Sequence, residues 1–383
     1  MTRTVPLFLL FLAIAHGHEV REWTDADNRK VRAEFVKLKS GTVFLKLTDG
    51  REANFPLEKL SAADRNYISG LEPAAAKPNS NFEAPWPDLV RFQDDPEITT
   101  IAEDADAKKF IYESANYRYT CDVRLSNSVV KGFAVLFEAT NRFCQELPIG
   151  MASGRPAGGK HQIVLFEQSE DYHKAGGIPG SAGVFVPHLK SVLIPLPSLG
   201  VRPVGSGYML DRDKTNKTVP HELTHQLTPE VYYDDSAIGW FTEGLAEYVA
   251  VTPYRGGGFN LRNNRRAFME YVTGYGRKED GGRGLGEEIK LGPLKNFMTM
   301  PYEKFMANGQ VNYGCSLLIT SYFFHMDGDG DGARIKRYLK DLRAGKSGQE
   351  ATNVLLDGRS YEQIEKEIAK AWGRYGIEID FSS

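Results

Sequence analysis

The apolar residues of this chain change their spacing part-way along it, and that change limits the fold more than any other feature. Before Pro220 they fall mostly in short runs that alternate every second residue, as in "FIYESANYRYTCDVRL", "HQIVLFE" and "SAGVFVPHLKSVLIPL". Alternation of this kind marks strands with one buried face. The last of these runs reads as a hairpin whose exposed edge could accept an extended peptide. One early exception is "SNSVVKGFAVLFEATNRFCQEL", where Val129, Val130, Phe133, Leu136, Phe137 and Phe143 keep helical spacing behind a Ser cap. From Pro220 onward the spacing is mainly helical. Strands first and helices afterwards predict an α+β fold rather than an alternating parallel sheet.

The length of 383 residues, with 41% hydrophobic and 25% charged residues, suits one large domain plus a small one. A net charge of -3 and the lack of long like-charge blocks give no sign of a nucleic-acid or anionic-membrane partner. At the start, Arg3 precedes an apolar run from Val5 to Ala15 that is too short to cross a bilayer, and Ala13-x-Ala15 fits a cleavage site. Residues 1–17 are therefore expected to be a signal peptide, which makes the mature protein secreted or periplasmic; a core helix here would lack a polar face. Cys121, Cys144 and Cys315 allow at most one internal bridge, with Cys121 and Cys144 the nearest pair in sequence. The alternative is that all three are buried thiols.

Residues 18–71 read as a separate small unit. Apolar and β-branched runs at Val31 to Leu38, Thr42 to Leu47 and Arg51 to Phe55 are separated by turn signals, and Ser61 caps a short closing helix. This stretch resembles the SLA homology domain, an SH3-like module, through Arg21-x-Trp23-Thr24, Ala33-Glu34-Phe35-Val36, Asp49-Gly50 and Pro56-Leu57-Glu58-Lys59-Leu60-Ser61. The resemblance implies a small β-barrel that binds a peptide or a cell-envelope partner, or that merely packs or tethers. Residues 72–88, rich in Pro and Ala, are expected to be a linker to a large domain at 89–383.

The chemistry concentrates in "HELTHQLTPEVYYDDSAIGWFTEGLAEYV", from His221 to Val249. Residues four apart on a helix lie one above the other, so His221 and His225 can converge on one ion, with Glu222 beside them as general base for metal-activated water. Alone, this motif arises by chance in roughly one chain of this length in a hundred. Two histidines leave a catalytic zinc short of a third protein ligand, and the following helix offers Glu243 and Glu247, again four apart. With Trp240-Phe241-Thr242-Glu243-Gly244, the pattern resembles the gluzincin metallopeptidases. Carried over residue by residue, His221, His225 and Glu243 become the Zn2+ ligands, Glu222 the base, and Glu247 the carboxylate that orients a ligand histidine. The interval before Glu243 is slightly shorter than in the related aminopeptidases.

More broadly, residues 109 to 376 resemble bacterial peptidase MA-like proteins, including "PLKNFMTMPYEKFM" and the stretch around Tyr313. By that resemblance Tyr313 stabilises the oxyanion, with packing as its bland alternative and His325 as the runner-up donor. The exopeptidase signature Gly-x-Met-Glu-Asn is missing, which favours an endopeptidase. His161, His173 and His188 read as surface or core residues, with His188 the reserve third ligand. Asp327, Asp329 and Asp331 match half of an EF-hand loop, but its twelfth position is Tyr338 rather than Glu, so a polar turn is expected. The reading as a whole is an exported zinc metallopeptidase acting on peptides or proteins. Its rival is a non-catalytic adaptor or adhesin that uses the peptidase fold as a scaffold.

Overall fold

The computed structural model describes residues 20–25, 29–39, 42–61, 64, 81–151, 159–212, 214, 217–274 and 282–382. The expected signal peptide, 1–17, and the first part of the expected linker lie outside them. The chain divides into two units, Met1–Ala75 and Ala76–Ser383.

In the first unit, strands β1 (Arg21–Thr24), β2 (Lys30–Lys39), β3 (Thr42–Leu47) and β4 (Glu52–Pro56) form an antiparallel meander, as the turn signals predict. Alternate residues face inward: Trp23 from β1, Ala33 and Phe35 from β2, and Val43 and Leu45 from β3 are buried together with Leu60. The Trp23 indole donates to Ala33 O at 2.9 Å and stacks on Phe35. An antiparallel bridge between Asp25 and Leu60 brings the segment after β4 back beside β1. Ser61 Oγ accepts the Asp64 N–H at 3.1 Å, the bond expected of a helix cap, and the buried Asp64 carboxylate takes the Thr24 N–H and the Arg21 guanidinium, each at 2.7 Å.

The second unit begins earlier than the composition suggests. Phe82 is buried, the Asn81 amide donates to Gln145 O and Leu147 O, and Trp86 Nε1 donates to Asp331 O at 2.9 Å. Residues 81–88 thus belong to the larger unit, and the linker expected over 72–88 ends before Asn81. Its Pro-rich composition hid two aromatic anchors whose contacts are far away in sequence.

The sheet of this unit is mixed. Strand β5 (Leu89–Arg91) pairs elsewhere, while β6 (Thr99–Asp104), β7 (Lys109–Glu113), β8 (Tyr117–Cys121), β9 (His161–Phe166), β10 (Val184–Val186) and β11 (Ser191–Pro195) lie in the order β10-β11-β9-β8-β7-β6. β8, β9 and β11 are parallel; the outer pairings are antiparallel. Helix α1 (Asn127–Glu146), capped by Ser126, lays Val129, Val130, Phe133 and Phe137 against Tyr117, Tyr119, Ile163 and Leu165 of the sheet. Helix α2 (Ser169–Lys174) precedes β10, and from Thr218 the chain is mainly helical: α3 (Thr218–Leu227), α4 (Trp240–Val251), α5 (Asn264–Thr273), α6 (Leu294–Met298), α7 (Tyr302–Ala307), α8 (Gly309–His325), α9 (Ala333–Arg343), α10 (Gly348–Leu356) and α11 (Tyr361–Gly373). The fold is α+β. Among the described residues, no helix is long and apolar enough to cross a membrane.

Helix α3 lies at the seam between two cores. Val219 and Leu223 join the sheet cluster, whereas Leu227 joins the helical cluster built on α4 and α8. All of α4 is buried, its apolar residues packing on every side but the one that carries Glu243 and Glu247. Cys121, Cys144 and Cys315 are free and buried, so the bland reading of the cysteines holds and no bridge joins Cys121 to Cys144.

Candidate metal centre

Most positions of the Gly239 to Gly244 stretch have a local job. After α3 the chain turns through Glu230–Tyr232 and a bend at Asp234, which accepts the Ser236 N–H at 2.9 Å. Gly239 enters α4 with φ of 83°, a conformation natural to glycine, and its N–H is taken by Thr242 Oγ1 at 3.1 Å. The buried Trp240 indole donates to Ser236 O at 2.6 Å and anchors the helix start. Glu243 then faces α3, while Gly244 meets α8. A Cβ there would lie 2.5 Å from Ser316 O, so only glycine lets α4 and α8 cross this closely.

The helical spacing brings three donors together. His221 Nε2 and His225 Nε2 are 3.1 Å apart, and Glu243 Oε2 lies 3.1 Å from His225 Nε2 and 3.3 Å from His221 Nε2. A tetrahedral zinc with bonds of about 2.0–2.1 Å spaces its ligand atoms about 3.3 Å apart. Two imidazole nitrogens and one carboxylate oxygen at these separations fit such an ion, with one position left open.

Every donor is held from behind. His221 Nδ1 is 3.0 Å from Glu247 Oε1, and Arg283 Nη2 lies 2.8 Å from the other oxygen of Glu247. The Tyr233 hydroxyl donates to His225 O at 3.1 Å and sits 3.4 Å from His225 Nδ1. The Tyr302 hydroxyl donates to Glu243 Oε1 at 2.8 Å. Glu222 Oε2 accepts the Phe185 N–H of β10 at 2.7 Å, which holds that carboxylate at the edge of the sheet.

The electrostatics of the cluster favour a cation. Burial opposes charge on His221, but bonds to Glu243 and Glu247 and the charge of Glu222 outweigh it and push the imidazole up to about 10. Glu243, despite burial that would raise it, is held far below the usual carboxylate range by His225 and His221. Glu247 moves the same way: His221 and Arg283 overcome its burial. Without an ion, the carboxylates keep a proton on His221; a bound metal would take that proton's place.

Tyr313 reaches the site. Its ring is 5.8 Å from that of His221, the Arg283 guanidinium lies over the Tyr313 ring at 4.7 Å, and burial keeps the phenol protonated. With His221, Glu222, Glu247, Tyr271 and Arg283 it lines a cavity of about 160 Å³. His325 does not reach it. It ends the same helix, which puts it about 18 Å along the axis from Tyr313, and it bonds Tyr248 at 2.8 Å and packs on Trp86. His188 and His173 are exposed, whereas His161 is buried against Tyr117. The Asp327 carboxylate is filled by Arg359 at 2.8 Å and Arg334 at 3.0 Å, so the EF-hand match is a polar turn packed on arginines. Tyr233, Tyr302, Arg283 and the Phe185 N–H carried no spacing signal, although "PYEKFM" flags the neighbourhood of Tyr302.

Similarity to known proteins lies at the other end of the chain. Residues 14–74 match SLA1 homology domain 1. The four-stranded unit is thus an SLA1 homology domain, as its turn and core residues indicated. No curated protein and no solved structure matches the chain.

Proposed function

We propose that the second unit is a zinc-dependent peptidase, of gluzincin type, in which His221, His225 and Glu243 hold the ion. The observation that carries this reading is the convergence of His221 Nε2, His225 Nε2 and Glu243 Oε2 beside the Glu222 carboxylate. Zinc held there would supply Lewis acidity and make a water at the site easier to deprotonate. Glu222 then acts as the base. Because the Phe185 N–H occupies Oε2, Oε1 is the oxygen left to take the proton and to return it to the leaving amine. The Tyr313 phenol donates to the carbonyl oxygen as charge develops there. Glu247 fixes the ring of His221 through Nδ1. Strand β10 is an edge strand beside Glu222, so an extended peptide could pair with it and present its carbonyl to the site. The SLA1 homology domain would recruit a peptide or cell-envelope partner, and the apolar N-terminal run would direct export.

Two measurements test the reading together: zinc content after metal-replete expression, and cleavage of a peptide library with and without a chelator. One zinc per chain and chelator-sensitive cleavage are expected. Glu222→Gln should keep the zinc and lose about 10²–10⁴-fold in rate. Full cleavage by Glu222→Gln would refute the mechanism, and a zinc-free chain would leave the adaptor reading in its place.

A further inference from the structure

Glu243 is buried and has two carboxylate oxygens, and the structure treats them differently. Oε2 faces both imidazoles at 3.1 and 3.3 Å, whereas Oε1 accepts the Tyr302 hydroxyl at 2.8 Å. Tyr302 opens α7 directly after Pro301, and its ring stacks on Phe305 one turn later, with centroids 6.2 Å apart and planes within 6°. Phe305 is itself immobile: fully buried, it packs edge-on against Tyr313, and its carbonyl accepts the buried Asn312 amide at 2.6 Å. It also sits against Gly239 at the start of α4, where an added Cβ would come within 3.1 Å of its ring. One rigid aromatic stack therefore joins the start of the Glu243 helix to the Tyr302 hydroxyl. A carboxylate rotated to offer both oxygens would give up the Tyr302 bond, and Glu243 is only 3% exposed, so the loss falls on a buried acceptor.

Resting on the zinc reading of the triad, we infer that Tyr302 is a positioning residue that limits Glu243 to a single metal-facing oxygen. It thereby keeps the site four-coordinate and selective for an ion content with few ligands.

The test uses the full chain and two readouts that need no substrate. Zinc affinity is measured by competition with a chromophoric chelator, and coordination number by the visible absorption of the Co2+-substituted protein. Tyr302 is 39% exposed, so losing one hydroxyl leaves folding intact. Tyr302→Phe should bind zinc 10- to 100-fold more weakly, as loss of an outer partner typically does, and its Co2+ bands should weaken as the freed carboxylate adds a second oxygen. Tyr313→Phe removes a neighbouring hydroxyl that does not touch Glu243 and should change neither readout. The inference is overturned if either readout of Tyr302→Phe stays at the wild-type value, or if Tyr313→Phe changes as much. A wild-type chain that binds no zinc would instead sink the triad reading itself.

Discussion

Replacing Gly244 with alanine separates two opposing effects. In an ordinary helix interior alanine is better than glycine by about 1 kcal/mol, because glycine loses more backbone entropy on folding. Here the new methyl would sit 2.2 Å from Thr320 Oγ1 and 2.5 Å from Ser316 O. The threonine can rotate away; the carbonyl belongs to the backbone of α8 and cannot. Ordinary contact lies near 3.5 Å, so α4 and α8 would have to part by roughly 1 Å. Overpacking of this kind costs about 1–3 kcal/mol, which exceeds the propensity gain. The net expectation is a loss of up to about 2 kcal/mol in urea unfolding of the metal-free protein. Glu243 precedes Gly244, so the same movement carries a triad oxygen out of place. Metal bonds tolerate about 0.2 Å, and zinc affinity should therefore fall at least tenfold. A Gly244→Ala protein that is as stable as wild type and binds zinc as tightly would refute both the crossing argument and its link to the site.

Two further outcomes follow from buried charge. Burial, then the charges of Arg265 and Lys336, pushes the His325 imidazole from 6.5 down to about 4. The unfolded chain takes up this proton near pH 6.5 and the folded chain resists until about 4. Stability is thus complete above pH 6.5 and is lost as pH falls through that window, by at most about 3 kcal/mol. His325→Gln should flatten this part of the urea midpoint against pH, and identical profiles would refute the assignment. At the polar turn, Asp327→Asn leaves Arg359 and Arg334 facing each other without their shared carboxylate, at a cost of about 2–3 kcal/mol given their partial exposure. Millimolar calcium should leave the wild-type melting midpoint where it is, and a rise would show that the turn takes the ion after all.

The features legible in the chain were those written in local periodicity. The alternation of Trp23, Ala33, Phe35, Val43 and Leu45 and the turn at Asp49-Gly50 specified the first unit, because strand burial repeats every second residue. The Ser126 cap and the aromatic face behind it marked α1 in the same way. Spacing by four placed His221 with His225, and Glu243 with Glu247, on common helix faces. The linker was misjudged because Phe82 and Trp86 are single aromatics without a period, and their partners are distant in sequence.

The sequence alone therefore determined which residues could act as donors and on which elements they ride. Only the tertiary structure decided that α3 and α4 approach closely enough for three donors to stand about 3 Å apart. It alone brought Tyr302 across 59 positions to Glu243, seated Arg283 behind Glu247 and sent His325 to the far end of α8. The physical reason is that helical spacing is a property of the backbone and repeats along any chain. The approach of one helix to another is set by the packing of particular residues at the crossing, here Gly244 against Ser316 and Gly239 against Phe305.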